Sequence, residues 1–386
     1  MKIVVCDITG RTLNYDVALC EAINKQLKNV DHIELWSNSH KRYNVHSKRF
    51  YSLVPNKYRN SPKTVIRILK AFDTFMAYLT IIVRVIISKP DVFHLQWFPF
   101  LSLGVKGSSI DVLFIKTFRF FSPQTRLVYT IHNICPHSMK EQERKNYNPV
   151  FTNALKLFDH YVVHTFKTKE DVIHDLGLSR DKVTTIYHGI FIPNNYSFSS
   201  PVITKSKLRI IMYGNQNWYK GTDVLVDSLS NMDESMRDQC TITICGDISK
   251  NYLEELQAKP FGHFIKWIPH FVEDGELYRL IDGSDVIVLP YRRISQSGVL
   301  LLALSTDRLI ITSDLETFKE TLNGLGDELF FKSEDPKDLA RIIMAYINNE
   351  IDRVSVLKKL RVLRNLYSWG ESAKATICLY KELSHA

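Results

Sequence analysis

Short apolar runs alternate with longer amphipathic segments along the first half of the chain. The runs are rich in Val and Ile, and the segments between them repeat their apolar residues at helical spacing. This pattern is typical of a parallel sheet whose strands are joined by crossover helices, and it predicts a Rossmann-like domain. The predicted strands are 2–6, 32–36, 91–97, 126–131, 161–164 and 183–187, and the predicted helices are 15–28, 63–88, 110–120 and 167–176.

The same alternation begins again after a polar segment. Residues 190–207 are rich in Asn, Ser and Pro and show little periodicity, which indicates an interdomain linker. Two such sheets in tandem predict a two-domain α/β protein with a cleft between its domains. The predicted strands of the second half are 208–213, 241–245, 264–267, 286–289 and 309–312, and its predicted helices are 222–230, 252–258, 275–282, 298–305 and 336–348.

The domain boundaries follow from this alternation. We expect a first domain over residues 1–195, a linker over 196–207, a second domain over 208–366 and a C-terminal helix over 367–386. A length of 386 residues fits this division, because a single core rarely grows beyond about 250 to 300 residues. An apolar fraction of 45% and a charged fraction of 24% exclude disordered, collagen-like and disulfide-scaffold proteins.

The six cysteines and the start of the chain indicate a reducing compartment. No C-x-x-C spacing occurs and no signal peptide precedes the first predicted strand, so we expect buried thiols in the cytoplasm. The most membrane-like run, 75–87, is interrupted by Arg84. Its 13 residues are fewer than the ~20 that cross a bilayer, so we expect at most peripheral attachment to a membrane.

The excess of positive over negative charge lies entirely in the first half of the chain, and the net charge of the whole is +9. Residues 1–195 hold 27 Lys and Arg against 15 Asp and Glu, and residues 196–386 hold 23 against 26, so the halves carry +12 and −3. We expect an anionic partner for the first half: nucleic acid, an anionic membrane or a phosphorylated substrate. No helix-turn-helix, zinc-finger or RNP-like segment supports nucleic acid.

The run GNQNWYKG at 214–221 joins a predicted strand to a predicted helix. Gly214 allows the chain to leave the strand, and Gly221 exposes backbone N–H groups at the helix start. Together with the Lys220 ammonium, these groups could hold a phosphate. An ordinary turn with a surface lysine would have the same pattern.

A second strand-to-helix loop, LPYRRISQSGV at 289–299, has similar features. Its Ser and Gln side chains supply polar groups, and its glycine allows close approach to a helix N-terminus, whose dipole favours an anion. Ser297 could equally be the helix N-cap. Because both loops follow strands of one sheet, we predict a diphosphate site there. The residues assigned to this site are Gly214, Asn215, Asn217, Lys220, Gly246, Arg292, Ser295, Gln296, Ser297, Gly298 and Val299.

Two polar residues that follow a predicted strand of the first half are candidates for a binding or catalytic site. His132 could act as a general base, although a buried hydrogen-bonding histidine is an equal alternative. Asn133 is next to it. The pairs His132/His137 and His160/His164 have poor spacing for zinc, and no Asp-x-Asp occurs, so we predict no metal site.

The predicted helix 63–88 combines basic residues with an apolar stripe. Arg67, Lys70 and Arg84 could attract anionic lipid headgroups while the stripe enters the membrane surface. A helix packed on its own sheet would show the same pattern. The stripe consists of Ile66, Leu69, Ala71, Phe72, Phe75, Met76, Leu79, Ile82 and Val83.

Several of these segments resemble the family 4 glycosyltransferases, which are enzymes of the GT-B fold. GNQNWYKG is similar to their G-R-x-x-x-x-K-G segment, and IYHGI is similar to the strand that closes their first domain. SDVIVLPYRRISQSGVLLLALSTDRLIITSD resembles the segment around their donor-site helix. TIHNICPH with the later VVHT is similar to a branch that builds bacterial surface polysaccharides. Residues 367–369 resemble the start of a C-terminal helix that crosses back to the first domain.

The resemblance implies an α/β protein of GT-B fold, with two Rossmann-like domains facing a central cleft. It also implies transfer of a sugar from a nucleotide-diphosphate donor, which the residues of the predicted diphosphate site would bind. In such a transfer, Lys220 and the loop 295–299 would stabilise charge on the leaving diphosphate. Thr9 and Gly10 follow the first strand as the family's acceptor loop does, so they are assigned to acceptor binding together with Asn133, and His132 could contact a sugar hydroxyl.

The sequence departs from the family pattern at three positions of the donor site. The family's two loop carboxylates align with Ser295 and Ala303, and its diphosphate-bracing Arg aligns with Asn215. The stereochemical outcome of transfer is therefore open.

Two functions follow. The first is a metal-independent glycosyltransferase with His132 and Lys220 as catalytic residues and a nucleotide sugar as co-substrate. It would act on a lipid-linked or oligosaccharide acceptor in capsule, O-antigen or exopolysaccharide synthesis, at the inner face of the plasma membrane. The second is a GT-B protein of weakened activity that serves as a binding or scaffold subunit of a polysaccharide assembly complex, which the loss of both carboxylates favours.

Overall fold

The computed structural model describes residues 1–27, 31–38, 44–50, 63–100, 108–134, 149–190, 196–199, 207–294 and 297–385. The chain divides into two compact units. The first contains Met1–Gly189 together with Trp369–Ala386, and the second contains Ile190–Ser368. Each unit is built on one sheet in which all the described pairings are parallel.

The sheet of the first unit has the strand order β3-β2-β1-β4-β5-β6-β7. The chain order reverses between the neighbours β1 and β4, and ligands of open α/β sheets bind at the carboxyl ends of strands at such a point. The central strands are buried except at Arg126, the first residue of β5, because helices cover the sheet. The strands are β1 Lys2–Asp7, β2 His32–Ser37, β3 His46–Arg49, β4 Val92–Leu95, β5 Arg126–Thr130, β6 His160–Val163 and β7 Val183–Thr185.

The helices of the first unit connect these strands, and the last one comes from the end of the chain. The last helix packs against α1 and anchors to the sheet through the Tyr380 hydroxyl, which lies 2.6 Å from Nδ1 of His94. The other ring nitrogen of His94 lies 2.7 Å from Oγ1 of Thr130. The helices are α1 Leu13–Gln26, α2 Lys63–Ser88, α3 Ser108–Phe121, α4 Phe166–Leu176 and α13 Trp369–His385.

The sheet of the second unit has the order β10-β9-β8-β11-β12-β13, so β8 and β11 are neighbours at its switch point. Its strands are β8 Leu208–Tyr213, β9 Cys240–Cys245, β10 Ile265–Ile268, β11 Val286–Leu289, β12 Leu309–Ser313 and β13 Phe330–Phe331. Its helices are α5 Thr222–Ser228, α6 Glu234–Arg237, α7 Lys250–Gln257, α8 Asp274–Asp282, α9 Gly298–Ser305, α10 Glu316–Thr321, α11 Pro336–Ile347 and α12 Arg353–Leu366.

The elements that the sequence pattern did not predict are mostly short or polar. Strand β3 is the sequence HSKR at an exposed sheet edge, and β13 has only two residues, so neither forms an apolar run. Helix α12 is the exception, because it is 14 residues long. Most of the predicted linker lies outside the described residues. The expectation of buried thiols is wrong at Cys378, which is exposed on α13.

The apolar part of α2 is longer than the run 75–87 that the sequence suggested. The 21 residues Ile68–Ser88 form a continuous helix that, by length and composition, is long and apolar enough to cross a membrane. Arg84 does not interrupt it. Its guanidinium instead donates a hydrogen bond of 2.8 Å to the backbone carbonyl oxygen of Arg49.

Candidate functional site

Lys220 is a buried cation in the second unit, in the loop that follows β8. It ends a short helical turn, Trp218–Lys220, and its side chain is almost fully enclosed. Its ammonium donates a hydrogen bond of 2.5 Å to the Tyr291 hydroxyl and lies 3.9 Å from the centre of that ring. Burial lowers the pKa of Lys220 to about 7. Among the described residues no carboxylate pairs with it, so an incoming anion would find an uncompensated charge.

Tyr291 connects this loop to the loop that follows β11. Its ring is fully buried, burial raises the pKa of its hydroxyl, and a hydrogen bond with Ser297 partly offsets that rise. Ser297 also caps α9, because its Oγ accepts a hydrogen bond of 3.1 Å from the backbone N–H of Leu300. The two loops chosen from the sequence are thus joined by the chain of contacts Lys220, Tyr291 and Ser297.

Two glycines permit the close backbone approach on which this arrangement depends. Gly221 has φ +68°, and a Cβ there would lie 1.8 Å from the carbonyl oxygen of Pro290. Gly246 has φ +124°, and a Cβ there would lie 2.1 Å from the carbonyl oxygen of Gly214. Both residues require a left-handed backbone, which glycine adopts at little cost.

Arg292, which the sequence assigned to the donor, holds the two loops together. Its guanidinium donates to both carboxylate oxygens of Asp223, at 2.8 and 2.7 Å, and to Glu334 at 2.6 Å. It also donates to the backbone oxygen of Trp218 at 2.7 Å. With two carboxylates already bound, this side chain is suited to bracing the site rather than to neutralising a diphosphate.

Of the remaining predicted donor residues that the structure describes, three are exposed on the same loops and Val299 is half-buried. Asn215 and Asn217 are exposed, and the Asn217 amide donates a hydrogen bond of 3.1 Å to Oδ1 of Asn215. Gly298 begins α9, and the backbone oxygen of Val299 accepts a hydrogen bond of 2.9 Å from the Tyr213 hydroxyl. Ser295 and Gln296 lie outside the described residues. Ala303 is fully buried in α9 and offers no polar side-chain atom.

In the first unit, four consecutive strands are followed by polar side chains. Gln96, His132, His164 and His188 come after β4, β5, β6 and β7 respectively. The rings of His132 and His164 have centroids 5.2 Å apart, and those of His164 and His188 are 5.6 Å apart. The sheet therefore brings three histidines together that are widely separated along the chain.

Tyr15 of α1 lies at the centre of this histidine cluster, which we define as His132, His164 and His188. Its ring centroid is 5.3, 5.2 and 4.8 Å from theirs. The Trp369 ring lies 5.4 Å from Tyr15 and 5.1 Å from His188. His164 and His188 are buried among these rings, His132 is half-buried, and the ring contacts limit rotation of the imidazoles.

The histidines of the cluster are neutral at neutral pH. Burial, and then the neighbouring histidines, hold the pKa of His132 well below its usual value. Burial also lowers the pKa of His164 to about 4 and that of His188 to about 3. A neutral imidazole can accept a proton, as a general base must. Within the described part of the chain, no group of three or more His, Cys, Asp or Glu side chains is arranged to hold a metal ion.

The loop after β1 is organised by a carboxylate. Oδ1 of Asp7 accepts hydrogen bonds from the backbone N–H groups of Thr9 and Gly10, at 3.0 and 2.9 Å, and from the Thr9 hydroxyl at 2.8 Å. The hydroxyl of Thr9 is thus already engaged. Asn133, the other residue assigned to the acceptor, is half-buried next to His132.

Sequence reasoning did not single out Tyr291, Gln96 or His188, and it considered His164 only as part of a poorly spaced zinc pair. Tyr291 and His188 stand inside the quoted runs LPYRRISQSGV and IYHGI, but nothing in the runs distinguishes them from core residues. Gln96 stands near the end of the predicted strand 91–97, and His132 directly follows the predicted strand 126–131. Polar residues at the ends of consecutive strands were therefore the available signal.

Comparisons with known proteins identify the family of this chain. Residues 19–192 match the family described as Glycosyltransferase Family 4, and residues 207–349 match that described as Glycosyl transferases group 1. Together the two matches span most of the chain. The chain belongs to the family 4-like glycosyltransferases. The predicted family is confirmed, and this enzyme is a glycosyltransferase.

Two curated proteins are distant relatives of this glycosyltransferase. A GDP-mannose:glycolipid 4-beta-D-mannosyltransferase of Xanthomonas campestris is 23% identical over 66% of this chain and 70% of the relative. An N,N'-diacetylbacillosaminyl-diphospho-undecaprenol alpha-1,3-N-acetylgalactosaminyltransferase of Campylobacter jejuni is 21% identical over 55% of this chain and 57% of the relative.

Solved structures confirm the predicted GT-B fold over the whole glycosyltransferase. HepE of Anabaena in complex with UDP superposes with a TM-score of 0.68 at 12% identity, covering 99% of this chain and 100% of the other. Sucrose-phosphate synthase from Thermosynechococcus elongatus superposes with a TM-score of 0.67 at 14% identity, covering 99% of both chains. At such identities the likeness establishes the fold alone.

Proposed function

We propose that this glycosyltransferase moves a sugar from a nucleotide-diphosphate donor to a lipid-linked or oligosaccharide acceptor in the synthesis of a capsule, O-antigen or exopolysaccharide. The observation that carries the donor part is the buried ammonium of Lys220, which is joined through Tyr291 to Ser297 at a helix N-terminus. A cation beside the exposed N–H groups of a helix is suited to binding a diphosphate.

In the proposed reaction the bond between the anomeric carbon and the diphosphate oxygen breaks, and the electron pair leaves with the diphosphate. The oxygen of an acceptor hydroxyl forms the new glycosidic bond. Lys220 and the N–H groups at the start of α9 stabilise the negative charge of the leaving group. His132 accepts the proton of the acceptor hydroxyl, because its imidazole is neutral.

We propose that the transfer needs no divalent metal. The leaving diphosphate is neutralised by Lys220 and by backbone N–H groups, which replace the charge that a metal would supply. The absence of an Asp-x-Asp sequence favours this mechanism. The residues assigned to the donor otherwise position it: Asn215 and Asn217 on the exposed side of one loop, and Gly298 and Val299 at the start of α9.

Relatives and charge favour a lipid-linked acceptor. The Xanthomonas relative is named for a glycolipid acceptor and the Campylobacter relative for a diphospho-undecaprenol acceptor. Residues 1–195 carry the net charge of +12, which would attract a lipid diphosphate and an anionic membrane. We therefore propose that the protein works in the cytoplasm, attached peripherally to the inner face of the plasma membrane, with Thr9, Gly10 and Asn133 near the acceptor.

One observation favours a second function. The two positions where the family has loop carboxylates hold Ser295 and Ala303, and the position of its bracing Arg holds Asn215. A chain that binds nucleotide sugars but turns them over poorly would serve as a binding or scaffold subunit of a polysaccharide assembly complex.

Donor binding and transfer can be measured separately on the purified full chain. Nucleoside diphosphates and nucleotide sugars are first screened by thermal shift, because a ligand that binds only the folded state raises the melting temperature. The stabilising donor is then incubated in EDTA with a bacterial lipid extract, and sugar transfer to glycolipid is followed. Stabilisation with transfer supports the enzyme, stabilisation without transfer to any acceptor supports the scaffold, and no stabilisation by any nucleotide contradicts both.

A further inference from the structure

Helix α2 presents a continuous apolar face to solvent. The large apolar side chains that it exposes recur every three or four residues over more than twenty positions. Soluble proteins rarely expose contiguous apolar surfaces of this kind without a function. The large side chains exposed by at least 41% are Val65, Ile68, Phe72, Phe75, Leu79, Val83, Ile86 and Ile87.

Helix α3 widens this face. It packs against α2, where the rings of Tyr78 and Phe114 stack with centroids 3.9 Å apart and the Tyr78 hydroxyl donates a hydrogen bond to Asp111. Its own exposed apolar side chains are Ile110, Leu113, Phe120 and Phe121. We call the exposed apolar residues of the two helices the α2–α3 surface.

The other side of α2 belongs to the core of the first unit. Ala77, Tyr78, Ile81 and Val85 are buried in the cluster that also contains Phe93 of β4. If α2 crossed a membrane, these side chains would have to leave that core, so the helix cannot span while the unit stays folded. Its length and composition therefore fit a helix that lies in the plane of a surface.

We propose that the α2–α3 surface binds the anionic face of a lipid bilayer, with both helices parallel to the membrane plane. The proposal rests on the proposed function, because a lipid-linked acceptor must be reached at the membrane.

The positive charge of the first half of the chain favours anionic lipid over a second copy of the chain as the partner of the α2–α3 surface. The part of the chain that carries this surface, residues 1–195, has a net charge of +12, which repels its own copy and attracts anionic headgroups. Lys70 and Lys116 are exposed on the two helices. A long lysine side chain can keep its ammonium at the headgroups while its stem lies along the apolar layer.

The experiment measures binding of the full-length protein to vesicles of phosphatidylglycerol and phosphatidylethanolamine by sedimentation. The test variant is Phe72→Gln/Phe75→Gln/Leu79→Gln. Its matched control, Val354→Gln/Val362→Gln/Leu366→Gln, removes three apolar side chains of α12 in the second unit that are at least as exposed as those of the test variant. We expect the test variant to lose about tenfold or more in vesicle affinity and the control to bind like the wild type. Binding to phosphatidylcholine vesicles should be weaker.

Three results would overturn the proposal. The first is equal vesicle binding by the test variant and the wild type. The second is a wild type that does not bind vesicles but forms a dimer in sedimentation velocity that the test variant lacks, which would assign the surface to a second copy. The third is retention of the wild type in cell membranes after alkaline carbonate extraction, which would indicate a spanning helix.

The same variants separate this proposal from the proposed function. The test variant should keep the nucleotide-induced thermal shift of the wild type, because the donor loops are in the second unit. If vesicle binding depends on α2 but no nucleotide binds, the function fails and the surface stands. If nucleotides bind but the test variant sediments with vesicles as the wild type does, the membrane-binding proposal fails and the proposed function stands.

Discussion

Oε1 of Gln96 lies 3.0 Å from Nε2 of His132, at the carboxyl ends of two neighbouring strands. Because burial keeps the imidazole neutral, only one of its nitrogens carries a proton. A proton on Nε2, donated to the amide oxygen, leaves the lone pair on Nδ1. The Trp97 ring stacks on the imidazole with centroids 5.2 Å apart and limits its rotation. Gln96 is thus placed to select the tautomer in which Nδ1 is the basic atom.

The first prediction concerns this hydrogen bond. In Gln96→Glu a carboxylate faces Nε2 and stabilises the imidazolium, so the pKa of His132 should rise from its depressed value. The acidic limb of the pH profile of kcat/KM should therefore move to higher pH. Gln26→Glu is the matched control, because Gln26 is exposed and its amide donates to the backbone oxygen of Gly370, away from the imidazole. Identical profiles for wild type and Gln96→Glu would argue against tautomer selection.

His132 itself should affect chemistry more than donor binding. We expect His132→Ala to lower kcat by about 10²- to 10⁴-fold, as loss of a general base does, with little change in donor affinity. His174→Ala, which removes an exposed histidine of α4, is the control. Turnover comes from steady-state kinetics and affinity from calorimetry. Equal losses in both quantities would instead assign His132 a structural role.

Lys220→Met tests the donor site. The variant should retain the fold and melt at the same or a slightly higher temperature, because the buried ammonium has no carboxylate partner among the described residues. It should lose the nucleotide-induced thermal shift, and kcat/KM should fall about 10²- to 10³-fold. Lys250→Ala, which removes an exposed lysine of the same unit, should behave like the wild type. Near wild-type turnover of Lys220→Met would refute the assignment.

The low pKa of Lys220 predicts that donor binding depends on pH. The ammonium is present below about pH 7 and is lost as the pH rises through that value, so binding a diphosphate above pH 7 must take up a proton. We expect the dissociation constant to increase by up to about tenfold per pH unit there. Calorimetry in buffers of different ionisation enthalpy measures directly the protons taken up when the nucleotide binds. In Lys220→Met the proton uptake that Lys220 contributes should be absent.

Lys220 should also make the free energy of unfolding depend on pH, and in the opposite direction to donor binding. Between about pH 7 and the ordinary lysine value of 10.5, the unfolded chain holds a proton that the folded chain has released at Lys220. The free energy of unfolding contributed by this lysine therefore increases with pH across that window. Chemical denaturation of the wild type and Lys220→Met at several pH values would detect the difference, and parallel curves would contradict it.

Gly221 should be the most sensitive glycine of the donor loops. Gly221→Ala places a Cβ against the Pro290 carbonyl oxygen and requires a left-handed backbone, so we expect a loss of at least about 2 kcal/mol in the free energy of unfolding. Gly275→Ala is the control in α8, where a Cβ meets nothing within 4 Å, and should be neutral or stabilising by about 0.5–1 kcal/mol. Urea denaturation measures both. An unchanged midpoint for Gly221→Ala would show that the loop relaxes without cost.

Local patterns determined most of the secondary structure. Val- and Ile-rich runs marked strands such as β8 and β11 at their observed bounds, because a buried parallel strand needs apolar residues on both faces. The same alternation predicted the class of fold. Strand β3 escaped prediction because an exposed edge strand has no such requirement.

The sequence alone also determined which loops deserve attention, since residues after parallel strands gather at one sheet edge whatever the details of packing. Only the tertiary structure decided which side chains meet there. It brings Lys220 into hydrogen-bond contact with Tyr291, 71 positions away in the chain. It also pairs Arg292 with Asp223 and places Gln96 beside His132. It also decided which side of α2 is exposed. These contacts depend on sheet order and burial, which arise between segments far apart in the chain. The hydrophobic periodicity of the sequence reports only local structure and therefore does not reveal them.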